Sequence, residues 1–323
     1  MSLPVVEVDI DHALLLAQVA RDLDTGPTAH STVLAEAGAA AVGCLPMSLL
    51  RALHQIATVP SLGGVLLVRG LLPSSLLTDL EPTPSTALPG PLGPAARAAG
   101  LALLTAMTPL GAPFTFASLY EGRLVQHVVP VPGEEEAQTS TGSDSLLSAH
   151  VEDAFTEQRC DAFGLLCLRG HPGAATTVSR AVDLRLDREV EQVLREPRWR
   201  IAPDLAHGTA QRCAPARPVL TGPADDPAIC YDALYQHPAD DGDTEAMTAW
   251  KAFGAELERV ALAHVLEPGE LLVVDNRRVV HGRTRFTPRF DGTDRWLLRA
   301  MVTADRRTHR AAGSPRALTE VSA

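Results

Sequence analysis

The chain has 323 residues, enough for one large domain with a sizeable core or for two domains. Hydrophobic residues make up 46% and charged residues 21%, a globular balance, and the net charge of -11 argues against nucleic acid or an anionic membrane as partner, since both favour a basic face. The five cysteines (Cys44, Cys160, Cys167, Cys213, Cys230) are odd in number, scattered and without a CxxC, which disfavours a disulfide framework or structural zinc site and fits a reducing cytoplasm.

The first residues, Met1 to Leu16, lack a basic n-region and carry acids inside the first apolar stretch, so they read as a poor signal peptide. No apolar run reaches the length of a membrane span. Residues 8–60 show Ala and Leu at helical spacing and predict two or three helices, broken near Thr25-Gly26-Pro27 and again from Gly43 to Pro46. Val65 to Gly70 predicts a strand. Residues 73–95 read as an exposed connection and Ala95 to Thr108 as a helix. Leu124 to Val129 predicts a strand, Pro130 to Ser145 a loop, and Leu146 to Phe155, Phe163 to Leu168 and the stretch around Thr176 to Ser179 further strands. Ala181 to Leu194 predicts a helix, Pro215 to Asp243 irregular structure, and Asp243 to His264 a long helix. Strands are expected at Leu271 to Asp275, Val279 to Arg283 and Trp296 to Val302, and a mobile tail after Arg306.

There is no βαβ alternation, Gly-rich phosphate loop or internal repeat. The pattern predicts a mainly β protein with α additions: a double-stranded β-helix (jelly roll) core, N-terminal helices and a helical insertion. A single domain is expected over 1–323, with 1–110 mostly helical, 111–305 the jelly-roll core and 306–323 the tail.

Three residues carry the chemistry. In a strand, residues i and i+2 share a face, so His150 and Glu152 are expected to point inward while Val151 points away. His281, from a distant strand, completes a set of two imidazoles and one carboxylate, which suits Fe(II) with open coordination positions. Alone, an H-x-E match is weak, since a solvated strand offers it too, and a lone His281 reads as a hydrogen-bonded core histidine. Context adds to it: Gly282 marks a close backbone approach beside His281. Arg295 carries a planar fork able to take a carboxylate through two hydrogen bonds. Arg299 lies four residues on, on the same strand face; two solvated surface arginines are the competing reading.

The chain resembles the clavaminate synthase-like Fe(II)/2-oxoglutarate-dependent oxygenases of the taurine dioxygenase superfamily, a group that includes hydroxylases of free arginine and asparagine. The likeness spans roughly 60–305. It is strongest in Leu266 to Arg277, His281-Gly282-Arg283, Pro288 to Leu297, and in Gln138 to Ser143 with His150 to Phe155. Val151 departs from the family's usual Thr, at a side chain expected to face away from the metal. The resemblance implies that His150, Glu152 and His281 bind Fe(II) and that Arg295 pairs with the distal carboxylate of 2-oxoglutarate. Thr176 would contact the same co-substrate, with Thr177 in reserve. Arg299 would hold the substrate carboxylate, Asp232 a guanidinium or amide, and Ser140 and Glu121 the amino end, although Tyr120 fits the spacing as well as Glu121. The acids Asp240, Asp241, Asp243 and Glu245 read as a solvated lid. The implied reaction consumes O2 and hydroxylates an unactivated C–H of a free amino acid, arginine-like, citrulline or asparagine-like, in specialised metabolism such as antibiotic biosynthesis. The implied partner is thus a small amino acid rather than nucleic acid or membrane. Two other readings stay open: a zinc hydrolase using the same three ligands, and a non-catalytic jelly-roll binding protein.

Overall fold

The computed structural model describes residues 2–24, 26, 31–203, 215–305 and 317–318. The chain begins β1 (Val5–Glu7), α1 (Ile10–Asp22), α2 (Ser31–Ala40), α3 (Met47–Thr58), β2 (Val65–Arg69), α4 (Ser74–Thr78), α5 (Pro94–Met107) and β3 (Ala112–Phe116). Next come β4 (Gln126–Val128), β5 (Leu147–His150), β6 (Ala162–Arg169), β7 (Ala175–Arg180), α6 (Arg188–Leu194), β8 (Trp199–Ile201), β9 (Leu220–Thr221), β10 (Ala228–Ile229) and β11 (Gln236–Pro238). The last elements are α7 (Thr244–Val260), β12 (Leu262–Val265), β13 (Leu271–Asp275), β14 (Val279–Arg283), β15 (Trp296–Thr303) and β16 (Ala317–Leu318). Residues 306–316 and 319–323, most of the expected tail, lie outside the described residues.

Two sheets face each other. The larger runs β1-β2-β13-β6-β15-β3-β16, with β4 also on β15; the smaller runs β12-β7-β14-β5. This is the jelly-roll sandwich expected from the sequence. Strand alternation divides the core into layers. Along β13, Leu272 and Val274 pack between the sheets with Phe163, Val178, Val279 and Met301. Leu271 and Val273 point the other way, onto Leu49, Leu53, Leu103 and Leu104 of the N-terminal helices. Helix α5 is buried nearly all round, as its Ala/Leu composition on every face requires. A third layer covers the outer face of the small sheet: Val280 meets Phe253 and Leu257 of α7 and Leu194 of α6.

Some local expectations change. The connection 73–95 contains α4, whose Leu76 is fully buried. The helix expected from Ala181 shortens to α6, preceded by a single 3-10 turn. The long helix expected through His264 ends at Val260, and Leu262–Val265 becomes β12 because the edge of β7 offers it antiparallel partners. The expected strand Leu146–Phe155 stops at His150.

A buried histidine gives the first testable consequence. Trp296 Nε1 donates to His127 Nδ1 at 3.0 Å, so that ring nitrogen carries no proton and the imidazole is neutral. Burial, helped by the charge of Arg123, pushes the His127 pKa from 6.5 down to about 4. The unfolded chain takes a proton near pH 6.5 and the folded chain does not, so this contribution is complete above pH 6.5 and is lost as pH falls toward 4. The loss approaches ~3 kcal/mol at about 1.4 kcal/mol per unit. Denaturant midpoints measured from pH 7 to pH 4 should therefore fall less steeply in His127→Gln, which can still accept from Trp296. Parallel curves would contradict the assignment.

Candidate active site

His150 and His281 are direct cross-strand partners, at the end of β5 and the middle of β14. Gly282 lets these strands approach: a Cβ there would lie 2.6 Å from the Leu147 carbonyl oxygen. The two imidazole rings stand 4.3 Å apart, centroid to centroid. Glu152 reaches them from a turn rather than from the expected strand continuation. Asp153, at φ 53, bends the chain away immediately afterwards. What fixes Glu152 is Asn276, in the turn between β13 and β14. Its side-chain carbonyl accepts from the Glu152 N–H at 2.8 Å, and its amide donates to the carbonyls of Glu152 and Cys160 at 3.0 and 3.1 Å. Asn276 is fully buried, so its amide has no water to compete for it.

Donor atoms of His150, Glu152 and His281 all lie within 4.8 Å of one another. His150 Nδ1 lies 2.7 Å from the Ser148 carbonyl oxygen, which can only accept. Nδ1 is therefore the donor, which leaves Nε2 as the nitrogen that could meet a metal. His281 Nε2 faces Glu152 Oε1 at 3.4 Å. Burial and the neighbouring His150 push the His281 pKa down to about 4 against the pull of Glu152, so this imidazole is neutral at pH 7, as a ligand must be. For Glu152 burial works against ionisation, but Arg299 and both histidines outweigh it and hold the carboxyl well below its usual range. Two imidazoles and one carboxylate on one side of a cavity fit Fe(II) in both donor type and number.

Arg299 has a partner the sequence does not announce. Its Nη1 donates to both oxygens of Glu152, at 2.7 and 2.8 Å, and its Nε to Gln126 Oε1 at 2.8 Å. The Tyr120 ring lies 5.7 Å from the guanidinium carbon. A buried arginine takes the nearest carboxylate, and here that is the ligand Glu152, which engages Nη1, while Arg299 also lines the cavity.

The triad opens on a cavity of about 340 Å³, and Arg295, Thr176, Arg283, Asp232, Ser140 and Tyr120 also line it. Arg295 is 5% exposed, and among the described residues no carboxylate pairs with it. Burial and the charge of Arg283 lower its pKa to about 10. An ionised group in such a place calls for an anion. Thr176 is buried and faces the cavity; Thr177, its alternative, lies on the other face of β7 and is not part of the lining.

Asp232 borders the cavity opposite His150, with which it forms an isolated bridge. Its Oδ1 accepts from the N–H groups of Leu234 and Tyr235, both at 2.8 Å, so it caps a turn and faces the cavity at once. Ser140 hydrogen-bonds the Tyr120 hydroxyl at the lip. Glu121 is a correction. Tyr120 and Glu121 are consecutive left-handed residues, at φ 47 and 54, and this reversal sends Tyr120 inward and Glu121 outward. Glu121 pairs with Arg123 at 3.2 Å and does not line the cavity. Of the acids expected to form a solvated lid, two at the start of α7 are paired: Arg198 meets Asp243 at 3.2 Å and Glu245 at 2.6 Å.

Residues 101–301 match the taurine catabolism dioxygenase TauD, TfdA family. The L-asparagine oxygenase of Streptomyces coelicolor is 37% identical over 312 residues, covering 95% of this chain and 91% of that protein. The chain belongs to this dioxygenase family. Its fold is similar to that of asparagine oxygenase solved with Fe(II), 2S,3S-3-hydroxyasparagine and succinate, with a TM-score of 0.87, 35% identity, and coverage of 98% of this chain and 99% of that one. It is also similar to the non-heme iron oxygenase OrfP solved with Fe and alpha-ketoglutaric acid, with a TM-score of 0.88, 30% identity and the same coverage, 98% and 99%. Among the described residues, no single helix of this family member is long and apolar enough to cross a membrane.

Proposed function

We propose that this dioxygenase uses Fe(II), 2-oxoglutarate and O2 to hydroxylate an unactivated C–H of a free amino acid with a polar or cationic side chain, in specialised metabolism. One observation carries the reading. The buried Arg295, with no carboxylate partner among the described residues, lines the same cavity as the His150–Glu152–His281 set. A metal site that also awaits an anion suits a 2-oxo acid with a second carboxylate. Zinc hydrolysis does not require that cation, and a binding module gains nothing from a complete ligand set.

His150, Glu152 and His281 would hold the metal, Arg295 the distal carboxylate of 2-oxoglutarate through its planar fork, and Thr176 would donate to the same group. Bound Fe(II) supplies O2 activation: one oxygen atom leaves in succinate, formed with CO2 from 2-oxoglutarate, and the other becomes the hydroxyl. The protein's part is to place one C–H at the open side of the triad and to exclude water. Arg299 neutralises Glu152 and fixes its orientation. Asp232 would face the substrate's side-chain cation or amide, with Ser140 and Tyr120 closing the lip.

The reading is tested by incubating Fe(II)-loaded protein and 2-oxoglutarate with free L-arginine, L-citrulline and L-asparagine and measuring succinate and the hydroxylated amino acid. Stoichiometric formation of both with at least one of them is expected; succinate with none rejects the substrate class. Asp232→Asn keeps the acceptor that caps the turn and removes the charge. It should lower kcat/KM for arginine at least about tenfold relative to asparagine, the scale of one charge-assisted hydrogen bond. An unchanged ratio would remove Asp232 from side-chain recognition.

A further inference from the structure

Arg283 sits two residues beyond His281 on β14, on the same inward face, and is 3% exposed. Its cross-strand partner on β7 is Thr176. Its guanidinium donates to the backbone carbonyls of Ser143 at 3.2 Å and Ser145 at 3.3 Å and lies 5.0 Å from the centre of the Phe286 ring. These partners are neutral dipoles and an aromatic face. No carboxylate pairs with Arg283 among the described residues, and it lines the cavity alongside Arg295. Two buried guanidinium groups thus line one cavity, and among the described residues neither is paired with a carboxylate. A lone buried cation is costly, and a second beside it costs more, because the two repel each other in a medium that screens poorly.

We propose that Arg283 is a specificity-determining residue for the co-substrate: its guanidinium provides the second positive charge at the Arg295 end of the cavity, so that this end selects a 2-oxo acid bearing a distal carboxylate. The inference rests on the 2-oxoglutarate reading given above. Arg283 is assigned a role through its charge: Nη1 and Nη2 each donate to a backbone carbonyl, of Ser143 and Ser145, which holds the guanidinium in place, while its buried Nε has no hydrogen-bond partner among the described residues. The same two bonds anchor the loop that carries Gln138 and Ser140, and so keep this charge at a fixed place beside Arg295.

The test is anaerobic calorimetric binding to Fe(II)-loaded protein, comparing 2-oxoglutarate with 2-oxopentanoate, which has the same chain length and no distal carboxylate. Wild type should prefer 2-oxoglutarate. Arg283→Gln should weaken 2-oxoglutarate about tenfold and leave 2-oxopentanoate within about twofold, the signature of a lost charge acting at close range in a poorly screened site. Arg283→Lys, which keeps the charge, should bind 2-oxoglutarate within about threefold of wild type. Equal weakening of both acids in Arg283→Gln, or no weakening of either, overturns the proposal. If Arg283→Gln does not fold, Arg283→Lys decides alone, and a loss of tenfold or more in 2-oxoglutarate affinity overturns it. A wild-type protein that binds the two acids equally rejects the 2-oxoglutarate reading itself, which is a different outcome from wild-type preference that survives in Arg283→Gln.

Discussion

Glu152→Ala should lose Fe(II) binding and also destabilise the metal-free fold by about 3–5 kcal/mol, whereas His281→Asn should lose Fe(II) binding with a much smaller loss of stability. The two residues are both ligands in our account, and they differ in what they leave behind. Glu152 is the carboxylate on which Arg299 depends, through bonds of 2.7 and 2.8 Å. Removing it strands a buried guanidinium whose other hydrogen-bond acceptor among the described residues is the neutral Gln126. His281 is neutral at pH 7, because burial and the nearby His150 hold its pKa at about 4, so its removal strands no charge. Altering a residue that merely supports a metal ligand typically costs 10–100-fold in affinity, so loss of a ligand itself should exceed about 100-fold. Metal content after dialysis and urea midpoints of the metal-free proteins measure the two effects separately. Equal destabilisation by both variants would contradict the Glu152–Arg299 pairing.

Arg295→Ala should raise the 2-oxoglutarate concentration needed for half-maximal turnover by about 100-fold or more while leaving Fe(II) binding nearly intact. Two charge-assisted hydrogen bonds at about 1.5–3 kcal/mol each set that scale. The stability of the protein should report the same loss. A ligand at 100 times its Kd stabilises the native state by about 2.7 kcal/mol, and this increment should vanish in the variant. Without 2-oxoglutarate the variant should be at least as stable as expected for a simple truncation, because an unpaired buried charge has been removed. Thermal unfolding with and without 2-oxoglutarate checks this; a variant still stabilised like wild type would take Arg295 out of the co-substrate site.

The parts of the site that follow strand periodicity could be read from sequence. The His281 register and the Gly282 close approach come from adjacent residues of β14, and Arg295 stands immediately before β15. Glu152 was placed correctly for a partly wrong reason. Two-residue alternation pointed it inward, but the strand ends at His150, and Asn276, 124 residues away in sequence, holds its peptide. No local pattern reports such a contact. The same holds for Arg299, whose pairing with Glu152 is decided by tertiary proximity. Glu121 was misplaced because two successive non-glycine residues in the left-handed region are rare, and sequence spacing assumes ordinary backbone. At β12 the Ala/Leu/Val spacing continues a helix pattern past Val260, and only the open edge of β7 turns Leu262–Val265 into a strand.

The most direct test of the central claim is an anaerobic titration of Fe(II)-loaded protein with 2-oxoglutarate, followed by ultraviolet-visible absorption. Chelation of the metal by the 2-oxo acid at the His150–Glu152–His281 set predicts a new band that saturates with 2-oxoglutarate and is absent from His281→Asn. Tightly bound Fe(II) with no band at any 2-oxoglutarate concentration would contradict it.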